Sequence, residues 1–197
     1  MHFSIFFAFS ALAASVYAIP TPVQPVARCG TTKTPFQLTQ VRALNGEITT
    51  IQDYFLQQDI VNREVQTDTI SNLVLFDIPS GATGCQLVAK FGSDLQVSED
   101  FPTGESIVSR VNVTNVDVGI SSPPDLTKIP ITALPFNNLF GTLDLIPSSY
   151  QVVNTAACPT NGGFLTFQLG FDNTLPFSTS ATFPQTVDEG LFVQFNC

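Results

Sequence analysis

The chain is short of the residues that carry most enzyme chemistry. It has one histidine, His2, no tryptophan, one methionine, and only 7 Lys/Arg against 16 Asp/Glu, for a formal net charge of −9. His2 falls in an N-terminal segment that reads as removable, so the mature chain has no imidazole. That excludes Ser-His-Asp and Cys-His nucleophilic triads and His-ligated zinc, copper or iron. It also excludes oxidative polysaccharide cleavage by copper held at an N-terminal histidine. The scarcity of cations disfavours nucleic acid and anionic lipid surfaces, because an acidic chain repels phosphate. Long apolar runs are absent too: Phe3 to Ala14 is too short to cross a bilayer, which takes about 20 residues.

That first stretch, MHFSIFFAFSALAASVYA, instead reads as a secretory leader, with Val16 and Ala18 as the small residues three and one positions before a cut. Its n-region departs from the usual pattern, offering His2 and no Lys or Arg. Pro20, Pro22 and Pro25 follow at once and argue against a buried N-terminal helix. No later segment predicts a membrane anchor, and LFVQFNC is too short for a GPI signal. The expected organisation is a signal peptide over 1–18, an extended Pro/Thr-rich leader over 19–35, tied down at most by Cys29, and one domain over 36–197. The location expected is the cell wall or extracellular space.

What the chain does have is phenylalanine, cysteine and short alternating runs. Fourteen of the 18 phenylalanines lie beyond the leader and must supply much of the packing. The cysteines are Cys29, Cys85, Cys158 and Cys197. An even count behind a secretory leader predicts two disulfides. Their spacing lacks C-x-x-C, so no zinc site is expected. Four cysteines allow three connectivities and the sequence does not choose; the preferred pairing is Cys85–Cys158, with Cys29–Cys197 joining the terminal segments.

Runs rich in Phe, Val, Ile, Leu and Thr, broken by Gly, Pro, Asn and Ser, predict an all-β, disulfide-stapled two-sheet sandwich of jelly-roll or Greek-key type. Leu73–Ile78 is apolar on both faces, as a strand covered on both sides is. Cys85, Leu87, Ala89 and Phe91 share a face, as do Leu165, Phe167, Leu169 and Phe171, and Leu191, Val193, Phe195 and Cys197. Tyr150, Val152, Ala156 and Cys158 read as one face of another strand, and Asn45-Gly46 as a two-residue hairpin turn. The change of phase from Val111 and Val113 to Val116 and Val118 predicts a bulge or turn near Asn115. Segment 121–138, with four prolines, reads as a crossover between two groups of strands, with a linker between two domains as the alternative. Residues 51–65 suit either a helix or a strand.

Few chemistries remain. Two carboxylates could hydrolyse a glycoside if they flank the bond on one surface. Asp188-Glu189 and Glu99-Asp100 give no such sign, since neighbouring strand residues face opposite sides. Asn112, Asn115 and Asp117 lack the spacing of an EF-hand loop. Asn112-Val113-Thr114 is a glycosylation sequon, the only one in the chain, with Asn112 on the polar side of its strand. After the leader the only tyrosines are Tyr54 and Tyr150, a thin supply of sugar-stacking rings.

LVLFDIPSGATGCQLVAKF resembles the core of the "But-two" C-terminal-like domain family of secreted fungal proteins, named for a protein that binds a ubiquitin-like modifier. IPSSYQVVNTAACPTNGGFLTFQL and GLFVQFNC resemble its later strands. The anchors here are Phe76-Asp77-Ile78-Pro79, Cys85, Cys158-Pro159 and Cys197, over roughly residues 36–197; Cys29 and the Pro-rich 121–138 depart from the pattern. The resemblance implies the fold and the cysteine framework and brings no catalytic residue.

The expectation is therefore a secreted, non-catalytic structural or binding module without cofactor or metal. Its partner class is a cell-wall polysaccharide or an extracellular protein. Two other readings are a carboxylate-dependent glycoside-acting enzyme and an exported effector that binds a host or competitor protein.

Overall fold

The computed structural model describes residues 30–43, 46–61, 64–65, 69–99, 109–116, 125–128, 138–171 and 177–197. Fifteen strands run through them: β1 (Thr31–Lys33), β2 (Gln37–Arg42), β3 (Glu47–Thr50), β4 (Tyr54–Gln58), β5 (Ile60–Val61), β6 (Glu64–Val65), β7 (Ile70–Ile78), β8 (Cys85–Lys90), β9 (Gln96–Glu99), β10 (Arg110–Asn115), β11 (Leu139–Asp144), β12 (Tyr150–Ala156), β13 (Gly163–Phe171), β14 (Thr179–Phe183) and β15 (Gly190–Phe195). A 3-10 turn covers Leu126–Lys128. All strand pairings are antiparallel. A small sheet has the order β1-β15-β8-β12 and a large one β11-β10-β13-β7-β4-β14-β9, with the β2–β3 hairpin also paired to β7. No two strands of the small sheet are consecutive in the chain, so the chain passes between sheets as it does in Greek-key sandwiches. Residues 1–29, with the proposed cleavage site and Cys29, lie outside the described set.

The period-2 patterns turn inward as expected. Val74, Phe76 and Ile78 of β7, Leu165, Phe167, Leu169 and Phe171 of β13, Cys85, Leu87 and Ala89 of β8 with Phe91 just after it, and Leu191, Val193 and Phe195 of β15 meet in one core between the sheets. Cys197, expected on the last of these faces, is exposed beyond the turn at Asn196. Phenylalanine supplies its geometry: Phe76 lies edge-on to Phe167 at 6.1 Å, Phe91 edge-on to Phe183 at 5.0 Å, and Tyr54 stacks on Phe183 at 4.4 Å. The other side of β7 is covered as well. Leu73 and Leu75 join Val41, Val116 and Leu126 in a second cluster on the outer face of the large sheet, which explains why β7 reads as a continuous apolar run.

Several expectations are corrected. Val116 needs no slip in β10, because β10 pairs with β13 without interruption from Val111 to Asn115. Val116 simply faces outward, into the cover formed by Leu126; the register shift lies in the pairing with β11, at Val113/Thr114. Tyr150 and Val152 do not share a face with Ala156 and Cys158. A register shift between Val152 and Asn154 leaves the first two exposed, whereas Val153, Ala156 and Cys158 pack on the core. The β2–β3 hairpin closes on Arg42 and Glu47, so four residues connect the strands and not two. Gly46 takes the left-handed conformation that this turn requires, at φ 69°. The Pro-rich segment, of which only 125–128 and 138 are described, is no crossover between strand groups: the strands on either side of it, β10 and β11, are hydrogen-bonded neighbours. Residues 51–65 supply strands β4 to β6, and Thr31–Lys33, placed in the leader by composition, pair with β15 at the edge of the small sheet.

The two sheets are joined along one side where β11 turns into β12. The Gln151 amide bridges both backbone groups of Asp144, accepting from its N–H at 3.0 Å and donating to its carbonyl. Gly141 lies so close to Val153 that a Cβ there would stand 2.9 Å from the Val153 carbonyl oxygen.

Candidate functional site

The motifs chosen from the sequence converge at one end of the sandwich. Cys85 and Cys158 form a disulfide with a Cα–Cα distance of 5.2 Å, next to the Ala156–Cys85 pair of β12 and β8. Loop 79–84 lies beside loop 159–163, where a Cβ on Gly162 would stand 2.9 Å from the Ser80 nitrogen. The C-terminal segment closes on the same loop: Asn196 N–H donates to the Thr83 carbonyl at 2.6 Å, and Thr83 N–H to Asn196 Oδ1 at 3.3 Å. Cys197 is disulfide-bonded, and no described cysteine is free. Gly30 N–H reaches the Asn196 carbonyl at 3.4 Å, so the chain next to Cys29 runs beside the residue next to Cys197. Phe76 and Ile78 point into the core and Asp77 to solvent. This end is a covalent and hydrogen-bonded cap; its chemistry is that of scaffold.

Asp188 and Glu189 are not arranged as a glycosidase pair. Asp188 is exposed, 3.9 Å from the Lys90 amine. Glu189 meets Asp94, to which it is hydrogen-bonded. Its carboxyl lies above the ordinary range, first through desolvation and then through the neighbouring Asp94 charge and hydrogen bond. Two carboxyls in direct contact at the surface leave no room for a glycosidic bond between them, whereas retaining and inverting enzymes separate theirs by about 5–5.5 or 6.5–9.5 Å. The acid side chains of Glu99-Asp100 and Asp117 lie outside the described residues. Among those described, no group of three or more His, Cys, Asp or Glu converges, and no helix is long and apolar enough to cross a membrane.

The two tyrosines have opposite fates. Tyr54 is fully buried. Its hydroxyl donates to Gln185 Oε1 at 2.9 Å, and the same oxygen accepts from Leu191 N–H at 3.0 Å. Burial pushes its ionisation well above the usual tyrosine value. Tyr150 stands 55% exposed on β12 of the small sheet, on one face with Val152, 51% exposed. Its hydroxyl donates to Gln194 Oε1 on β15 at 3.1 Å, which fixes the ring across β8.

A second surface feature was not foreseen. On the outer face of the large sheet, β10, β13 and the start of β7 floor a groove of about 230 Å³. Asn112, Thr114, Ser71, Gln168 and Gly170 line it on the polar side, and Val41, Ile70, Leu139 and Phe171 on the apolar side. Among the described residues, no ionisable side chain belongs to its lining. Asn112 thus faces the outer side of its strand as expected, yet it is half-buried in this groove and does not stand on an open surface. The signal was present in the alternation QLG of β13, which places an amide and a glycine on the outward face; only strand pairing sets them beside Thr114 and Asn112.

No family model, curated protein or solved structure matches the chain.

Proposed function

We propose that this chain is an exported, non-catalytic binding module of the cell wall or extracellular space, which holds a neutral polysaccharide on the small sheet. The observation that carries the reading is the exposed Tyr150–Val152 pair. An aromatic ring fixed by a hydrogen bond to Gln194, with Val152 as an apolar neighbour and Lys90 opposite it on β8, is the surface a sugar ring stacks on, with the Gln194 amide at hand for its hydroxyls. The Cys85–Cys158 disulfide supports export, since such bonds persist in oxidising compartments.

The test is expression of the full chain in a secreting host, followed by recovery from medium and washed walls. The protein should leave the cell and bind insoluble β-glucan or chitin, and Tyr150→Ala should weaken that binding at least tenfold with the melting temperature unchanged. Retention inside the cell would sink the export reading. Equal binding by both proteins would sink the assignment of the surface.

A further inference from the structure

The groove on the large sheet holds two buried polar atoms without partners. Gln168 is 2% exposed; its amide nitrogen donates to Ser71 Oγ at 3.0 Å, while Oε1 has no hydrogen-bond partner. Thr114, 5% exposed and paired across the strands with Gln168, has an unpartnered Oγ1. Buried acceptors and hydroxyls are nearly always satisfied in folded proteins, so a groove lined by two that are not has room and chemistry for a ligand with donors. Opposite Asn112 on β13 stands Gly170, where a Cβ would meet nothing nearer than Ser71 Cβ at 3.8 Å. The missing side chain leaves space directly beside the Asn112 amide.

Asn112 is itself the acceptor of the sequon Asn112-Val113-Thr114. We propose that Asn112 carries an N-linked glycan whose first N-acetylglucosamine lies in this groove as part of the fold. The sugar's hydroxyl and acetamido donors meet Gln168 Oε1 and Thr114 Oγ1, and its apolar ring face lies against the Leu139 side. The described lining is uncharged, as a neutral sugar requires. Attachment precedes folding: the C1–O bond of a lipid diphosphate-linked oligosaccharide breaks, a C1–Nδ2 bond to Asn112 forms, the lipid diphosphate leaves, and an amide proton is lost to base. The groove and Tyr150 lie on the outer faces of different sheets, so the glycan leaves the proposed polysaccharide surface free. The inference rests on export, because only an exported chain meets the transferase.

The test uses the full chain secreted from a glycosylating eukaryotic host, with peptide mass mapping at Asn112. Three forms are melted: the intact glycoprotein, the same protein trimmed by an endoglycosidase to a single N-acetylglucosamine, and protein stripped of sugar at source, secreted from a host blocked in oligosaccharide transfer so that Asn112 keeps its amide. The single-sugar form should keep the melting temperature of the intact one. The stripped form should melt lower by roughly 4–8 °C, as the loss of two hydrogen bonds implies for a domain of this size. In Gln168→Ala that gap should shrink by about half. A single-sugar form that melts with the stripped one overturns the inference, as does exported protein unmodified at Asn112. Chain retained in the cell overturns the export reading and this inference with it.

Discussion

Glu189 and Asn72 show how much a single polar side chain decides here. Glu189 holds its proton more tightly in the folded chain than in the unfolded one, through desolvation and through Asp94. Its contribution to stability is therefore complete below the ordinary carboxyl value of 4.5 and is lost as the pH rises through the raised folded value. Melting temperatures measured from about pH 4 to 7 should fall with rising pH more steeply in the wild type than in Glu189→Gln. Identical slopes would show that the Asp94 contact has no energetic weight. Asn72 faces inward on β7 and is fully buried; its Oδ1 accepts from Phe55 N–H at 3.1 Å and its amide donates to the Ser71 carbonyl. It satisfies the backbone where β4 meets β7 at the single pair Gln57–Ile70. Asn72→Ala should cost about 1–3 kcal/mol in a urea titration, because it strands the Phe55 donor in the interior. A polar residue in the inward phase of an apolar strand was visible in the sequence, but its partner was not: the two residues are 17 positions apart and meet only through strand pairing.

At the scale of elements, β7 and the short turn Leu126–Lys128 depend on one another. Leu126 is fully buried against Val41, Leu73, Leu75 and Val116, so three residues of a Pro-rich connection close the outer face of the central strand. Leu126→Ala should destabilise the fold by about 2–5 kcal/mol in denaturant, the range for truncating a buried leucine. A cost below about 0.5 kcal/mol, as expected of an exposed site, would show that the second cluster is not a true core. The sequence marked β7 as covered on both sides, because its apolar residues occupy both phases. It did not mark what covers it, since a lone leucine among prolines has no periodicity to read. The same limit explains the misread phase of Val116. A slip was expected on the assumption that apolar residues share one face, and the large sheet has apolar cover on both.

For the whole molecule, the Cys85–Cys158 bridge closes 73 residues of chain. Its loss in Cys85→Ala/Cys158→Ala should lower stability by on the order of 4 kcal/mol, the entropy of closing such a loop in the unfolded state. Thiol titration of the denatured, unreduced protein should find no free thiol; two would show that Cys29 and Cys197 are not paired in solution. The sequence by itself determined the all-β class, the inward faces of β8, β13 and β15, and the covered state of β7. Each follows from a period of two, which the chain carries locally. It also confined histidine to the single His2 near the N-terminus, which composition alone decides. Only the tertiary structure decided that Tyr54 is core and Tyr150 surface, that Asp94 touches Glu189, and that Asn112, Thr114, Gln168 and Gly170 share one groove. These are relations between residues distant in sequence, set by which strands pair and in what register, and no local pattern encodes them.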